Sequence, residues 1–309
     1  MTARILSGKA IADEILGEVA TGVAAFRDQC GTVPRLVVVR VGDDQASAVY
    51  VTKKIEASKA LGIASEHVHL EPEVTTAELA RVVRRLNDRD DVDGILVQLP
   101  LPDHIDEHGI LESIDPQKDV DGFHPINAGR LLEGNPALAP CTPAGVMEIL
   151  KRSNIEIAGR HAVVVGRSNI VGKPMAMMLL AGHATVTICH SRTADLAVLT
   201  RQADILIAAV GRAGMIGDDH IGAGSTVIDV GINQVSDPAL VMQMFEGEDL
   251  RRRLAAIESR GSTLIGDVNP KAALNRAAAY TPVPGGVGLL TVAILMKNTL
   301  TAARLRRGF

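Results

Sequence analysis

Aromatic residues are scarce in this chain of 309 residues, which has no Trp, two Tyr and four Phe. Proteins that bind single-stranded nucleic acid stack bases on aromatic side chains, so we expect no such partner. Three cysteines are too few for a disulfide framework or a zinc cluster. The net charge of −4 does not favour DNA, and no apolar run approaches the roughly 20 residues of a membrane-spanning helix. We therefore expect a cytoplasmic protein that binds no nucleic acid, membrane or metal.

The composition and the order of segments indicate a folded α/β protein. Apolar residues make up 47% of the chain and charged residues 22%, and this length is typical of two domains. Strand-like and helix-like segments alternate in both halves, which predicts parallel sheets flanked by helices. We expect the last helix, residues 289–307, to pack back on the first domain. The predicted domains are therefore residues 1–141 plus 289–309, and residues 142–288.

The segment GRSNIVGKP, residues 166–174, follows the strand-like HAVVV and precedes a predicted helix. Glycines at such a turn let backbone N–H groups approach a phosphate, and a helix N-terminus favours an anion. The spacing of Gly166, Ser168 and Gly172 departs from G-x-G-x-x-G. A tight turn without a ligand is the alternative, but the surrounding α/β series favours a dinucleotide site.

The kind of dinucleotide is indicated by the next strand, which ends Cys189-His190-Ser191-Arg192 without an acidic residue. NAD-binding folds usually place an acid there for the ribose hydroxyls, whereas arginine suits the 2′-phosphate of NADP. Arg167 and Arg192 therefore favour NADP. The alternative is that Arg192 is an ordinary solvated surface residue.

A second candidate site lies in the first half of the chain. Ser47, Tyr50 and Lys54 share one face of a helix predicted over residues 46–61. A lysine in such a setting can act as a general acid or base, although the spacing alone favours an exposed Lys54 beside a half-buried Tyr50. Gln98 ends an otherwise apolar strand, at the edge where ligands of open α/β sheets bind.

Two further segments admit both a functional and a structural interpretation. Asp119 and Asp121, in KDVDGFHP, could cap a turn or bind an amino-pyrimidine-like ring through paired hydrogen bonds. The segment TPVPGGVGLLT, residues 281–291, could bring backbone close to a ligand or serve as an interdomain linker. A linker would normally be more polar.

Seven segments together resemble one family, and they occur in that family's order over nearly the whole chain. They are YVTKKIEASKALGI, DGILVQLPLP, DPQKDVDGFHPINAGRL, PCTPAGVMEIL, VVVGRSNIVGKPM, VIDVGIN and TPVPGGVG. On these segments the chain resembles the bifunctional methylenetetrahydrofolate dehydrogenase/methenyltetrahydrofolate cyclohydrolase (FolD) family.

This resemblance implies a fold and an activity. It implies an N-terminal α/β catalytic domain that binds folate and a Rossmann-like domain that binds NADP. The implied reactions are NADP-dependent oxidation of 5,10-methylenetetrahydrofolate to the 5,10-methenyl compound, then hydrolysis to 10-formyltetrahydrofolate. Such a homodimeric oxidoreductase and hydrolase serves one-carbon metabolism and purine biosynthesis. The alternatives are a specialised relative with one activity and a non-catalytic folate- or nucleotide-binding module.

The resemblance also implies roles for individual residues. Lys54 would be the principal catalytic group of the cyclohydrolase step, Gln98 would orient it, Tyr50 would stack on the folate and contact Lys54, and Asp121 would anchor the pterin ring. The implied substrate-binding residues are Ser47, Tyr50, Gln98, Leu99, Pro100, Asp121, Gly285 and Gly286. The implied cofactor-binding residues are Gly166, Arg167, Ser168, Val171, Gly172, Ser191, Arg192 and Ile232.

The chain departs from the family pattern at three places. Leu289-Leu290 stands where the family usually has Pro-Met, and Asn269-Pro270 where it usually has Asp-Phe. The connection over residues 234–265 is longer than usual, and its residues 240–257 are predicted to form a charged helix. An exposed charged helix is common, so a surface insertion is favoured over a lid or a partner surface.

Overall fold

The computed structural model describes residues 2–309, apart from the side chains of Gln45 and Ala46. The chain divides into two compact units. The three-stranded unit comprises Ala12–Cys141 and Thr291–Phe309, and the six-stranded unit comprises the residues up to Ile11 and Thr142–Leu290. The described residues form eleven strands and twelve α-helices.

The three-stranded unit contains a small parallel sheet and the helices around it. Its strands are β2 (Arg35–Val41), β3 (Ala64–Leu70) and β4 (Gly94–Val97), in the order β3-β2-β4. Its helices are most of α1 (Gly8–Cys30), α2 (Gln45–Ala60), α3 (Thr76–Asn87), α4 (Glu107–Glu112), α5 (Pro125–Leu132) and most of α12 (Val287–Arg306).

The six-stranded unit contains a larger parallel sheet and a two-stranded hairpin. Its strands are β1 (Arg4–Ile5), β5 (His161–Val165), β6 (Thr185–Cys189), β7 (Ile205–Ala208), β8 (Thr226–Asp229), β9 (Asn233–Val235), β10 (Thr263–Ile265) and β11 (Ala279–Tyr280). Its helices are α6 (Cys141–Arg152), α7 (Gly172–Ala181), α8 (Leu196–Thr200), α9 (Pro238–Met244), α10 (Gly247–Arg260) and α11 (Pro270–Arg276). The main sheet has the order β1-β11-β8-β7-β5-β6.

Helices pack against these sheets through buried apolar side chains. In the three-stranded unit, α3 buries Leu79, Val83 and Leu86 against Val37 and Ile95 of the sheet. Thr75 and Glu78 close the start of α3 as a capping box. Because all strands of each main sheet run parallel, their carboxyl ends lie along one edge, where loops can carry ligand-binding residues.

The first residues of the chain differ from the predicted division. Arg4 and Ile5 form β1, which pairs in parallel with Ala279 and Tyr280 of β11 at an edge of the six-stranded sheet. The sequence predicts that residues 1–11 belong to the first domain, whereas in the structure residues 2–11 belong to the six-stranded unit. A two-residue strand has too few residues for a periodic pattern, and its pairing partner lies more than 270 residues away along the chain.

The long connection over residues 234–265 also differs from its prediction. Strands β9 and β10 pair antiparallel, and helices α9 and α10 lie between them instead of a single helix. The break falls at Phe245, which is extended, and at Gly247, which has a φ of 59°. Val241, Met244, Phe245 and Ile265 form a separate apolar cluster. This part of the chain therefore has its own core.

Candidate functional site

A buried lysine and a glutamine amide form the centre of the candidate site in the three-stranded unit. Lys54 is only 8% exposed, whereas its neighbour Lys53 faces solvent. The Lys54 Nζ donates a hydrogen bond to Gln98 Oε1 at 2.9 Å. Helix α2 holds Lys54 in place, and its N-terminus is capped by Asp44, whose carboxylate accepts from the Ser47 backbone N–H.

The Gln98 amide is oriented by the strand that it follows. Its backbone N–H donates to the Val39 carbonyl at 2.8 Å, which extends the pairing of β4 with β2. Its side-chain Nε2 donates to the Leu99 carbonyl at 2.6 Å. These two bonds leave the amide oxygen directed at Lys54. The amide oxygen accepts from the Lys54 Nζ and thereby fixes the position of that group.

Asp119 and Asp121 differ in the groups that surround their carboxyl oxygens. The fully buried Asp119 carboxylate accepts from the backbone N–H groups of Gly122, Phe123 and His124 and from the Asn127 amide, at 2.8–3.2 Å. Its hydrogen-bonding capacity is therefore used within the turn. This is the turn-forming role that the sequence left open for either acid.

Asp121 is half-buried and lies in the electrostatic field of Lys54. Burial raises the pKa of the Asp121 carboxyl, while the Lys54 charge lowers it. The Cys141 thiol donates to the Val120 carbonyl at 3.3 Å. Burial also raises the pKa of Cys141 well above its usual range, so the thiol remains a neutral donor. Asn298 donates to the Val120 carbonyl at 2.8 Å and thereby holds the backbone beside Asp121.

The remaining predicted residues of this unit lie near Lys54 along the chain. Ser47 is buried in the first turn of α2, and Leu99 and Pro100 directly follow Gln98. Tyr50 is half-buried, and burial raises the pKa of its hydroxyl. The Lys53 Nζ lies 5.9 Å from the Tyr50 ring centre. A contact of Tyr50 with Lys54 stays a prediction.

The candidate cofactor site lies in the six-stranded unit, between β5 and α7. Gly166 has a φ of 143°, and a Cβ there would overlap the Ala209 carbonyl. A Cβ at Gly172 would overlap the Gly166 carbonyl. The Ser168 hydroxyl accepts from the backbone N–H groups of Val171 and Gly172 at 3.1 and 3.3 Å. A side chain at either position would collide with backbone atoms, so this tight turn requires glycine at both positions.

This turn fits a dinucleotide phosphate. Arg167 and Ser168 are exposed at the start of α7, where helix N–H groups favour an anion. Ser191 and Arg192 follow β6 and are exposed as well, so their polar groups are available to a 2′-phosphate. Among the described residues, no group of three or more His, Cys, Asp or Glu side chains could hold a metal. None of the described helices combines the length and apolar character needed to span a membrane.

A third segment, the 281–286 loop, is held at several points of the six-stranded unit. The Thr281 hydroxyl accepts from the Asp229 backbone N–H at 2.7 Å, and the Gly8 N–H donates to the Gly285 carbonyl at 2.8 Å. Gly286 is buried, and a Cβ there would lie 2.6 Å from the Pro282 carbonyl. Residues with these anchors do not form a flexible linker.

Two buried carboxylates near this loop were not predicted from the sequence. The Asp267 carboxylate accepts from the backbone N–H groups of Val210, Gly211 and Arg212, the loop after β7. The Asp229 carboxyl accepts from the N–H groups of Asp267 and Val268. An acidic residue at the end of an apolar strand, as in TVID, is the same signal that identified Gln98 and would have pointed to Asp229.

Comparison with known proteins identifies the family. A model of the tetrahydrofolate dehydrogenase/cyclohydrolase catalytic domain matches residues 6–121, and a model of the NAD(P)-binding domain of the same enzymes matches residues 140–307. The chain belongs to the tetrahydrofolate dehydrogenase/cyclohydrolase family. The prediction from the sequence is thereby confirmed, as is the two-domain α/β fold with an NAD(P)-binding domain.

Relatives in this family match the chain over nearly its full length. The bifunctional protein FolD of Koribacter versatilis is 54% identical over 309 residues, covering 100% of this chain and 99% of that protein. The crystal structure of the bifunctional FolD dehydrogenase/cyclohydrolase from Campylobacter jejuni is 42% identical, has a TM-score of 0.88 and covers 98% of this chain and 99% of its own. The Trypanosoma brucei FolD structure, complexed with NADP cofactor and inhibitor, is 39% identical, has a TM-score of 0.88 and covers 99% and 98%.

Proposed function

We propose that this chain oxidises 5,10-methylenetetrahydrofolate to 5,10-methenyltetrahydrofolate with NADP and then hydrolyses the product to 10-formyltetrahydrofolate. The observation that carries the proposal is the buried Lys54–Gln98 pair, in a member of a family with both a catalytic and an NAD(P)-binding domain. A protein that only binds a nucleotide has no need of a buried lysine held by an amide at the end of a strand.

The oxidation requires the chain to position two ring systems. NADP, when bound, accepts the hydride that leaves the methylene bridge of the folate. Gly166, Ser168 and Gly172 would hold the phosphates at the start of α7, and Gly285 and Gly286 would let backbone approach the folate or nicotinamide. Positioning of this kind can supply about 7–11 kcal/mol of the barrier in favourable cases.

The hydrolysis requires proton transfers, and Lys54 is the proposed acid and base. Water adds to the methenyl carbon and loses a proton, and the carbon–nitrogen bond then breaks as the ring nitrogen gains one. Lys54 would carry a proton between the attacking water and the ring nitrogen that leaves. Gln98 keeps the Nζ in place, and Asp121 would accept hydrogen bonds from the pterin ring.

The choice of NADP over NAD rests on the exposed arginines. Arg167 and Arg192 supply positive charge beside the proposed phosphate site, where NAD-binding folds carry an acid. Ser191 would add a hydroxyl donor to the 2′-phosphate, and Val171 and Ile232 would contact other parts of the cofactor. NADP is correspondingly the cofactor named in the Trypanosoma brucei structure.

The departure at Leu289-Leu290 keeps a single-activity enzyme as the alternative. Leu290 is fully buried, and its Cβ lies where a Cβ on Gly145 would clash. Leu289 is 43% exposed. Leu290 therefore fits the packing at the start of the helix. The 54% and 42% identical relatives are both bifunctional FolD proteins, which favours the bifunctional enzyme over the specialised relative.

The experiment that tests the proposal compares the wild-type enzyme with Lys54→Met. NADP reduction in the presence of methylenetetrahydrofolate reports the first step, and decay of added methenyltetrahydrofolate reports the second. We expect methenyltetrahydrofolate to decay about 10²- to 10⁴-fold more slowly with the variant, which should still bind folate. Lys59→Met, on the exposed side of the same helix, is the matched control and should keep both activities.

The outcomes separate the alternatives. A wild-type protein with one activity is a specialised relative, and one that binds folate but does neither reaction is a binding module. If Lys54→Met hydrolyses methenyltetrahydrofolate as fast as the control, Lys54 is not the catalytic group.

We further propose that the enzyme is a cytoplasmic homodimer whose product supplies purine biosynthesis. Three free cysteines without a disulfide framework support a reducing compartment. Strand β6 is an edge of the six-stranded sheet and exposes Ile188, and Leu180 and Val198 on adjacent helices are exposed as well. Edge strands with apolar side chains are usually covered, and a second copy of this chain is the proposed cover.

A further inference from the structure

One arginine of the 234–265 connection reaches the 281–286 loop. Arg253 lies on α10 and is only 4% exposed. Its Nη2 donates to the Val283 carbonyl at 2.7 Å, and its Nη1 donates to the Leu264 carbonyl of β10. The guanidinium group thus joins the hairpin of the connection to the loop in which Gly285 and Gly286 lie.

The guanidinium group is itself held on its other sides. Its Nε donates to the Asp249 carboxylate at 3.2 Å, and its central carbon lies 3.8 Å from the centre of the Phe245 ring. A planar group with three described hydrogen bonds and a ring against its face has little freedom to move. The Val283 carbonyl is therefore held at a defined position by a rigid donor.

The same connection also contacts the loop after β7. Ala213 packs against the apolar cluster of Val241, Met244 and Phe245, and a Cβ on Gly214 would lie 2.8 Å from the Met244 sulfur. The connection therefore packs beside two loops that follow strand ends of the six-stranded unit. A surface insertion would have no such packing.

We propose that Arg253 is a positioning residue for substrate, because it holds the 281–286 loop in the conformation that places Gly285 and Gly286. The 234–265 connection is then part of the support of the site. This inference rests on the proposed function for the identity of the substrate, but the contact of Arg253 with the loop is independent of it.

The test measures amide hydrogen exchange and kinetics in Arg253→Met, Arg253→Lys and Arg252→Met. Arg252 is the matched control because it neighbours Arg253 on α10 but is largely exposed and pairs with Asp249. In Arg253→Met we expect exchange of the backbone amides of the 281–286 loop to become about tenfold faster or more, with strands β5 and β7 unchanged. Arg252→Met should leave both regions unchanged.

Kinetic measurements distinguish a residue that positions the substrate from one that only stabilises the fold. We expect kcat/KM for methylenetetrahydrofolate to fall about 10- to 100-fold in Arg253→Met at a temperature well below unfolding. Arg253→Lys should recover only part of the loss, since an ammonium group lacks the planar fork. The Kd of adenosine 2′,5′-bisphosphate, which occupies only the adenine end of the cofactor site, should not change.

Two results would overturn the proposal. One is faster exchange spread evenly over the six-stranded sheet, which would make Arg253 a general stabilising residue. The other is an unchanged kcat/KM in Arg253→Met or, if that variant does not fold, in Arg253→Lys. A wild-type protein inactive toward folate would refute the proposed function instead, while the exchange experiment would still decide whether Arg253 holds the loop.

Discussion

Two buried lysines of the three-stranded unit differ in what surrounds the ammonium group. The Lys118 Nζ donates to the carbonyls of Leu86, Asn87 and Arg89 at 2.6–3.1 Å, at the end of α3 and just after it. All three of its protons are engaged with backbone, so its role is structural. The described hydrogen bond of Lys54 goes to one side-chain amide, which favours Lys54 for chemistry.

Asp229 is the residue whose ionisation should affect stability most clearly. Burial raises the pKa of its carboxyl from 3.8 to about 8, against the backbone N–H donors that lower it. Between these two values the folded state keeps a proton that the unfolded state has lost. The free energy of unfolding should therefore fall as pH rises from about 4 to about 8, by up to about 1.4 kcal/mol per pH unit from this group.

Urea unfolding of Asp229→Asn at about pH 5 and about pH 8 checks this expectation. The amide does not titrate, so the variant should show a smaller fall in stability between the two values than the wild type, whatever its absolute stability. Asp218→Asn, an exposed acid in the same unit, should keep the wild-type fall. Equal falls in Asp229→Asn and the wild type would contradict the raised pKa.

The strand–turn–helix element from β5 to α7 depends on its first glycine. In Gly166→Ala the φ of 143° becomes strained and the Cβ meets the Ala209 carbonyl, which should cost at least about 1–3 kcal/mol and displace the turn. We expect a lower Tm and at least about tenfold weaker NADP binding by calorimetry.

Gly217→Ala is the control for this element. Gly217 has a φ of −109° and open space at the Cβ position. The free energy of unfolding of the Gly217→Ala protein should therefore differ from that of the wild type by less than about 0.5 kcal/mol. If Gly166→Ala binds NADP as tightly as Gly217→Ala, the turn does not hold the cofactor.

Short apolar strands were predictable from the local sequence, whereas the break within the predicted charged helix of residues 240–257 was not. The segment HAVVV forms β5, the strand predicted directly before residue 166. Residues 240–257 of the connection are predicted as one charged helix because of their helical pattern. At the break, Phe245 packs in one apolar cluster with Ile265 of β10, which lies 20 residues further along the chain, and local spacing does not encode that contact.

The C-terminal helix completes the three-stranded unit through a buried charge. The fully buried Asp93 carboxylate accepts from the Arg35 backbone N–H at 2.9 Å and from the side chains of Arg306 and Arg307. Residues near the end of the chain therefore neutralise a carboxylate directly before β4. Such a buried group is costly without its partners, which is why this unit needs the last helix.

The proposed assembly is tested by light scattering, which should give about twice the mass of one chain. Ile188→Lys places a charge on the exposed edge strand β6 and should shift the protein toward the monomer. Leu132→Lys, an exposed apolar residue on α5 of the three-stranded unit, is the control and should remain dimeric. A dimer in both variants would place the interface elsewhere.

The family, the α/β class and the candidate residues follow from the sequence alone, because motif segments and apolar periodicity are local properties of the chain. Three features are visible only in the tertiary structure. The Asp119 carboxylate accepts hydrogen bonds within its own turn, unlike Asp121. The Gln98 oxygen accepts from Lys54, and Arg253 donates to the Val283 carbonyl. Each depends on which donors and acceptors meet across residues far apart in the chain, and on burial, which sets the cost of leaving a polar group unpaired.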